Sequence, residues 1–233
     1  MTYSELVYMI LDELKLLSDD SYFNEDHIIF LADKYRVFLL KQRYSDIKKQ
    51  IPDSNLQTIC LDLEGVNTIN YNGCESLEYL KSTQKIPNMM KIYSPKISTS
   101  DYFKGVMISF VNKDRLKFVG NNRFSQNFIF ASLGDDGFLY LKSNNPQMFY
   151  LENIKLTGIF EDASLASKLG CNKENNSCSI MEQEFPIEAA LVNPLIELVV
   201  KELLPAIYRP TDSTNDSKDN LSTLGTTKPT KND

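Results

Sequence analysis

The sequence predicts an α+β fold. An N-terminal helical hairpin and a C-terminal helix form a helical bundle, with a mainly antiparallel β domain inserted between them and a flexible polar tail at the end. Three observations predict it. Apolar residues recur at helical spacing through the first 50 residues, and the period shifts to short β-type runs between Leu56 and Phe160. From Thr211 onward only Leu221 and Leu224 are apolar, too little to fold alone. The expected divisions are 1–52 for the hairpin, 53–160 for the β domain, 161–209 for the C-terminal helical segment and 210–233 for the tail.

In the first helix, Tyr3 to Leu17, Leu6, Met9, Ile10, Glu13, Leu14 and Leu17 fall on one side, with Glu5, Asp12 and Lys15 on the other. A polar cluster, Ser18 to Ser21, makes the turn. Asn24 caps the second helix, Glu25 and Asp26 occupy its first turn, and Phe23 can staple onto Ile28. This helix is expected over 25–50, with Lys41, Arg43, Lys48 and Lys49 complementing its C-terminal dipole and Pro52 ending it. Its apolar surface is too wide to be covered from one side, so a neighbouring domain or subunit is expected on the other.

Short strands are expected at Thr58–Glu64, Val106–Val111, Leu116–Val119, Phe128–Leu133 and Phe138–Lys142, with a hairpin turn at Asp135-Asp136-Gly137. Glu161 to Leu169 reads as a short helix. Pro186 then opens a final amphipathic helix carrying Leu191, Leu195, Val199 and Leu203, with bends or ends at Pro194 and Pro205.

Composition excludes several functions. A single histidine, His27, leaves no multi-histidine metal centre and no usable triad base, because it falls in a helix's first turn. A net charge of −6, with only 5 arginines, argues against a protein whose task is to coat nucleic acid. No run of about 18 apolar residues crosses a bilayer and no basic leader opens the chain, so synthesis in a reducing cytosol and free thiols at Cys60, Cys74, Cys171 and Cys178 are expected. Phosphate-loop motifs are absent, and no cofactor is implied. The rival enzymatic reading is a Mg²⁺-dependent nuclease using Asp53, Asp62 and Glu64, since carboxylates at i and i+2 of a strand share a face. It lacks the lysine expected two residues after Glu64, where Val66 stands. Lys113-Asp-Arg-Leu-Lys-Phe has basic residues beside aromatics, as in nucleic-acid surfaces, but its charges alternate as on a solvated strand.

Three stretches carry a resemblance: His27-Ile-Ile-Phe-Leu-Ala-Asp-Lys-Tyr-Arg-Val-Phe-Leu-Leu-Lys-Gln-Arg-Tyr, Leu139-Tyr-Leu-Lys-Ser-Asn-Asn-Pro-Gln and Thr157-Gly-Ile-Phe-Glu-Asp-Ala. Together they resemble the structural ring, or head-to-tail adaptor, proteins of crAss-like short-tailed phages, over roughly residues 3 to 210.

The resemblance implies a non-enzymatic virion component that forms a homo-oligomeric ring, a dodecamer matching the portal. It implies docking on the portal protein, contact with adjacent ring or tail proteins, and transient passage of double-stranded DNA through the ring. The location implied is the portal vertex, after assembly in the bacterial host cytoplasm and without a membrane. Another tail or minor capsid protein of the same virion is the alternative. A ring closes through head-to-tail contacts, so each subunit needs two different adhesive faces. The candidate oligomer interface is Phe30, Lys34, Val37, Lys41 and Tyr44 on the second helix, and the candidate partner-binding tail residues are Tyr208, Arg209, Leu221 and Leu224.

Overall fold

A long strand organises the molecule. In the computed structural model, which describes residues 1–17, 23–45, 50–69, 75–99, 108–116, 118–120, 122–171 and 180–207, β1 (Gln57–Ile69) changes partners halfway. It pairs antiparallel with β7 (Asn153–Gly158) from Gln57 to Asp62, then with β2 (Glu75–Ser82) from Leu63 onward. The other strands are β3 (Lys96–Thr99), β4 (Ile108–Phe110), β5 (Ile129–Leu133) and β6 (Leu139–Lys142), and the seven-stranded order is β3-β7-β1-β2-β6-β5-β4. All pairs are antiparallel except β4 with β5. The edge strands β3 and β4 approach one another, so the sheet nearly closes into a barrel.

The expected helical bundle with an inserted β domain is therefore overturned: the protein is a mixed α+β fold built on a nearly closed seven-stranded barrel, with five helices among the described residues. The reason is non-local. Strand closure joins segments as far apart as β1 and β7, and no local run of sequence records that pairing.

The helices are α1 (Tyr3–Leu17), α2 (Glu25–Arg43), α3 (Lys113–Leu116), α4 (Ala163–Lys168) and α5 (Ala189–Ile207). Asn24 caps α2, its side-chain oxygen accepting from the Asp26 N–H at 3.0 Å, and Asp162 caps α4 by accepting from the Leu165 N–H at 2.8 Å. α1 and α2 touch, but each packs more broadly on α5 than on the other. On α1 the buried face is Tyr3, Leu6, Val7, Ile10 and Leu14, which leaves Met9 and Leu16 on the surface.

Three further expectations change. α2 ends at Arg43, where the Tyr44 N–H bonds the Leu40 carbonyl, rather than running to residue 50. Leu116 closes the short helix α3 instead of opening a strand, because the Arg115 and Leu116 N–H groups both turn back onto the Asn112 carbonyl. α5 starts at Ala189, not at Pro186, and continues through Pro194, whose missing N–H leaves the Ala190 carbonyl without its intrahelical donor.

Two apolar clusters result. Leu6, Ile10, Leu31, Leu40, Leu195 and Val199 centre the helical one, joined by Met90 and Ile159 from the barrel's edge. Ile59, Leu61, Leu139, Leu141, Ile154 and Leu156 fill the barrel.

Candidate interaction surfaces

The charged residues of α2 divide between a buried joint and an open groove. Arg36 is 0% exposed, the largest fully buried side chain among the described residues. Its Nε donates to the Pro186 carbonyl at 2.7 Å, Nη1 to Phe160 at 2.9 Å and Nη2 to Asn55 at 3.3 Å. One guanidinium thus ties α2 to the approach to β1, the end of β7 and the approach to α5. Burial pulls its pKa down to about 10, so it remains charged at neutral pH.

Glu188 completes the joint. Its backbone N–H donates to Asn55 Oδ1 at 2.8 Å, while its carboxylate accepts from the Tyr44 hydroxyl at 2.8 Å and pairs with Arg43 Nε at 2.8 Å. Tyr44, from the expected oligomer interface, is consequently buried in this joint.

The other four members of that candidate interface converge. Phe30, Lys34, Val37 and Lys41 line a groove of about 840 Å³ between α2, α4 and residues 86–88. Phe30 is exposed there, as is Leu165 across the groove. Lys41 pairs with Glu161 at 3.3 Å, and Lys34 pairs with Glu202 of α5 at 2.7 Å, so two of the groove's three lysines, Lys168 being the third, are neutralised within the subunit.

Asp33 forms part of the groove wall and is 8% exposed. Burial pushes its carboxyl up to about 7, against the lowering field of Arg36 and with Asp162 adding to the rise. Its Oδ2 accepts a long bond from the Ser164 N–H at 3.4 Å, and Oδ1 has no partner among the described residues.

A second groove, of about 850 Å³, runs between α1 and α5. Met9, Leu16, Ile196, Val200 and Leu204 give it an apolar lining. Asp12, Glu13 and Glu197 face Lys201 along it. The sequence missed this surface because it assigned Met9 to the buried stripe.

The rival catalytic residues do not come together. Asp53 lies in a 3-10 turn before β1, whereas Asp62 and Glu64 lie further along that strand, and no group of three or more metal-ligating side chains forms among the described residues. His27 is on the surface, stacked on Phe30 with 6.5 Å between ring centroids. The expectation of free thiols is corrected at two positions: Cys60 on β1 and Cys171, just beyond α4, form a disulfide across 111 residues of sequence. Cys74 and Cys178 lie outside the described residues, as do the tail candidates Tyr208, Arg209, Leu221 and Leu224.

Comparison with known proteins converges on one family. The family model described as phage tail ring protein 2 matches residues 5–221. A curated relative, Ring protein 2 of Bacteroides phage crAss001, is 54% identical over 222 residues, which span 95% of this chain and 98% of the relative. The chain belongs to the phage tail ring protein 2 family, and is a structural ring protein of crAss-like phages.

Proposed function

We propose that this chain is a non-enzymatic head-to-tail adaptor subunit. Twelve copies close into a ring that docks on the portal, joins it to adjacent ring or tail proteins, and lines part of the channel through which double-stranded DNA leaves. The supporting observation is the pair of separate, apolar-lined grooves, α2/α4 and α1/α5, which share no lining residue. A closed head-to-tail ring needs different patches on its two sides. Phe30, Lys34, Val37 and Lys41 form one of these surfaces in this reading, and Tyr208, Arg209, Leu221 and Leu224 reach the portal or the next ring.

Co-sedimentation with isolated portal rings tests it. The full chain pellets with portal, and a chain lacking residues 208–233 binds at least tenfold more weakly. Unchanged docking of the truncated chain removes the role of the tail, and failure of the full chain to bind portal removes the adaptor reading. In the same preparation, duplex DNA is bound weakly and in a salt-sensitive manner, because a wall that clamped phosphates would retard DNA passage. Tight binding at physiological salt contradicts the channel role.

A further inference from the structure

Besides Met1, Tyr8, Phe38 and Tyr150, the exposed large apolar side chains among the described residues fall at three places. Two are the grooves already described, and the third is an aromatic turn beside the barrel. Phe124 is 85% exposed and Phe118 77%, and Phe128 is exposed as well. This turn is held in shape rather than left loose. The Asn144 side-chain amide donates to the Gly120 carbonyl at 2.7 Å, Gly120 has a φ of +87°, and the Ser125 N–H bonds the Asn122 carbonyl at 2.9 Å. Fixing the backbone of the turn beforehand lowers the ordering entropy lost on contact.

Charge separates the possible receptors. The turn carries Arg123 next to Phe124, and Arg115 precedes it on α3; neither pairs with a carboxylate among the described residues. Lys113, in contrast, is bound to Asp135. The α2/α4 groove is the poorer receptor for arginine: Lys34, Lys41 and Lys168 line it beside Asp26, Asp33, Glu161 and Asp162, so its charges nearly balance. The α1/α5 groove has three carboxylates against one lysine, none of them ion-paired among the described residues. Its apolar lining suits an aromatic ring, and its volume of about 850 Å³ admits one together with an arginine stem.

We propose that the turn 122–128 of one subunit seats in the α1/α5 groove of a second copy of this chain, with Phe124 against Met9, Leu16 and Leu204 and with Arg115 and Arg123 facing Asp12, Glu13 and Glu197. The contact is head-to-tail, because turn and groove are different surfaces, and so it propagates around a ring. The inference rests on the chain forming a ring of copies, and it does not require docking on the portal.

Site-specific photocross-linking in assembled rings tests it. The full chain with Phe124→p-benzoylphenylalanine yields, on irradiation, a product of twice the subunit mass, joined to Met9, Leu16 or Leu204. The Glu13→Lys/Glu197→Lys pair lowers that yield at least tenfold, and adding Arg115→Glu/Arg123→Glu restores it to within threefold. All four charges are exposed, so the variants keep the fold, which circular dichroism checks. Cross-links only to DNA, to another virion protein, to residues 208–233 or within one chain overturn the proposal, as does a charge reversal with no effect or no rescue. A general amine cross-linker run in parallel gives a ladder of multiples if the ring exists. A ladder without the Phe124 product sinks this contact alone, whereas the absence of both sinks the ring.

Discussion

At the scale of single residues, the stability of the subunit turns on two charged groups of α2 that face inward. Arg36 donates to three carbonyls from three separate segments, so shortening it leaves three buried acceptors without donors. Arg36→Met is expected to lower unfolding free energy by about 3–5 kcal/mol in urea titration. Asp33 works in the opposite direction. Its folded pKa lies near 7, above the ordinary carboxylate value of 3.8, so the folded chain holds a proton that the unfolded chain has released. Stability from this group is therefore present below about pH 4, falls as pH rises toward 7, and is lost above it. Arg36, Asp162 and the N–H groups of Ala163 and Ser164 are the groups that act on Asp33. Asp33→Asn should flatten that slope in pH-dependent melts, and at pH 8 the variant should be the more stable by a few kcal/mol, on the order of 2–4. A slope retained in the variant would show that another group causes it. The signal for this pair was present in the sequence: Asp33 and Arg36 share a helix face with Ile28, Ala32 and Leu40, and a charge inside an apolar stripe needs a partner. Which carbonyls would answer Arg36 could not be read, because they come from residues 55, 160 and 186.

At the scale of elements, local chemistry was legible and long-range pairing was not. The Asp135-Asp136-Gly137 turn joins β5 to β6 as its composition requires. Gly137 has a φ of +82° with open space where a Cβ would project. Gly137→Ala thus isolates the backbone term, and a loss of about 1 kcal/mol is expected by thermal melting. The runs at β1, β5 and β6 announced themselves by β-branched and aromatic residues. β7 was missed although Ile154 and Leu156 alternate with Asn153 and Lys155, because six residues after a proline-opened turn offered too short a period. The disulfide was illegible for a different reason: cysteines 111 residues apart meet only because Gly170 forms an isolated bridge with Ile59 and the Cys60 N–H bonds the Leu169 carbonyl. Cys60→Ser together with Cys171→Ser should cost about 2–4 kcal/mol relative to the oxidised protein, measured by denaturant titration with and without reductant. Equal stability in the two conditions would show that the bond adds nothing to the fold.

At the scale of the whole molecule, the nearly closed barrel gives the subunit a rigid body, and α1, α2 and α5 pack around one apolar cluster beside it. The resulting division of labour matters for assembly. Inward-facing residues such as Arg36 and Glu188 fix the helices to the barrel, whereas Leu16, Phe124 and Phe30, the last stacked on His27, remain exposed. In the proposed ring, neighbouring copies cover these side chains. The candidate surface at Phe30, Lys34, Val37 and Lys41 was readable as an over-wide apolar helix face. The α1/α5 groove was not, since it exists only where α5 packs on α1. The adaptor account is tested most directly by electron microscopy of the virion with a density label fused after Asp233. It expects twelve labels in one ring immediately beneath the portal. Label density elsewhere in the tail or on the capsid, or a copy number other than twelve at that position, would contradict it.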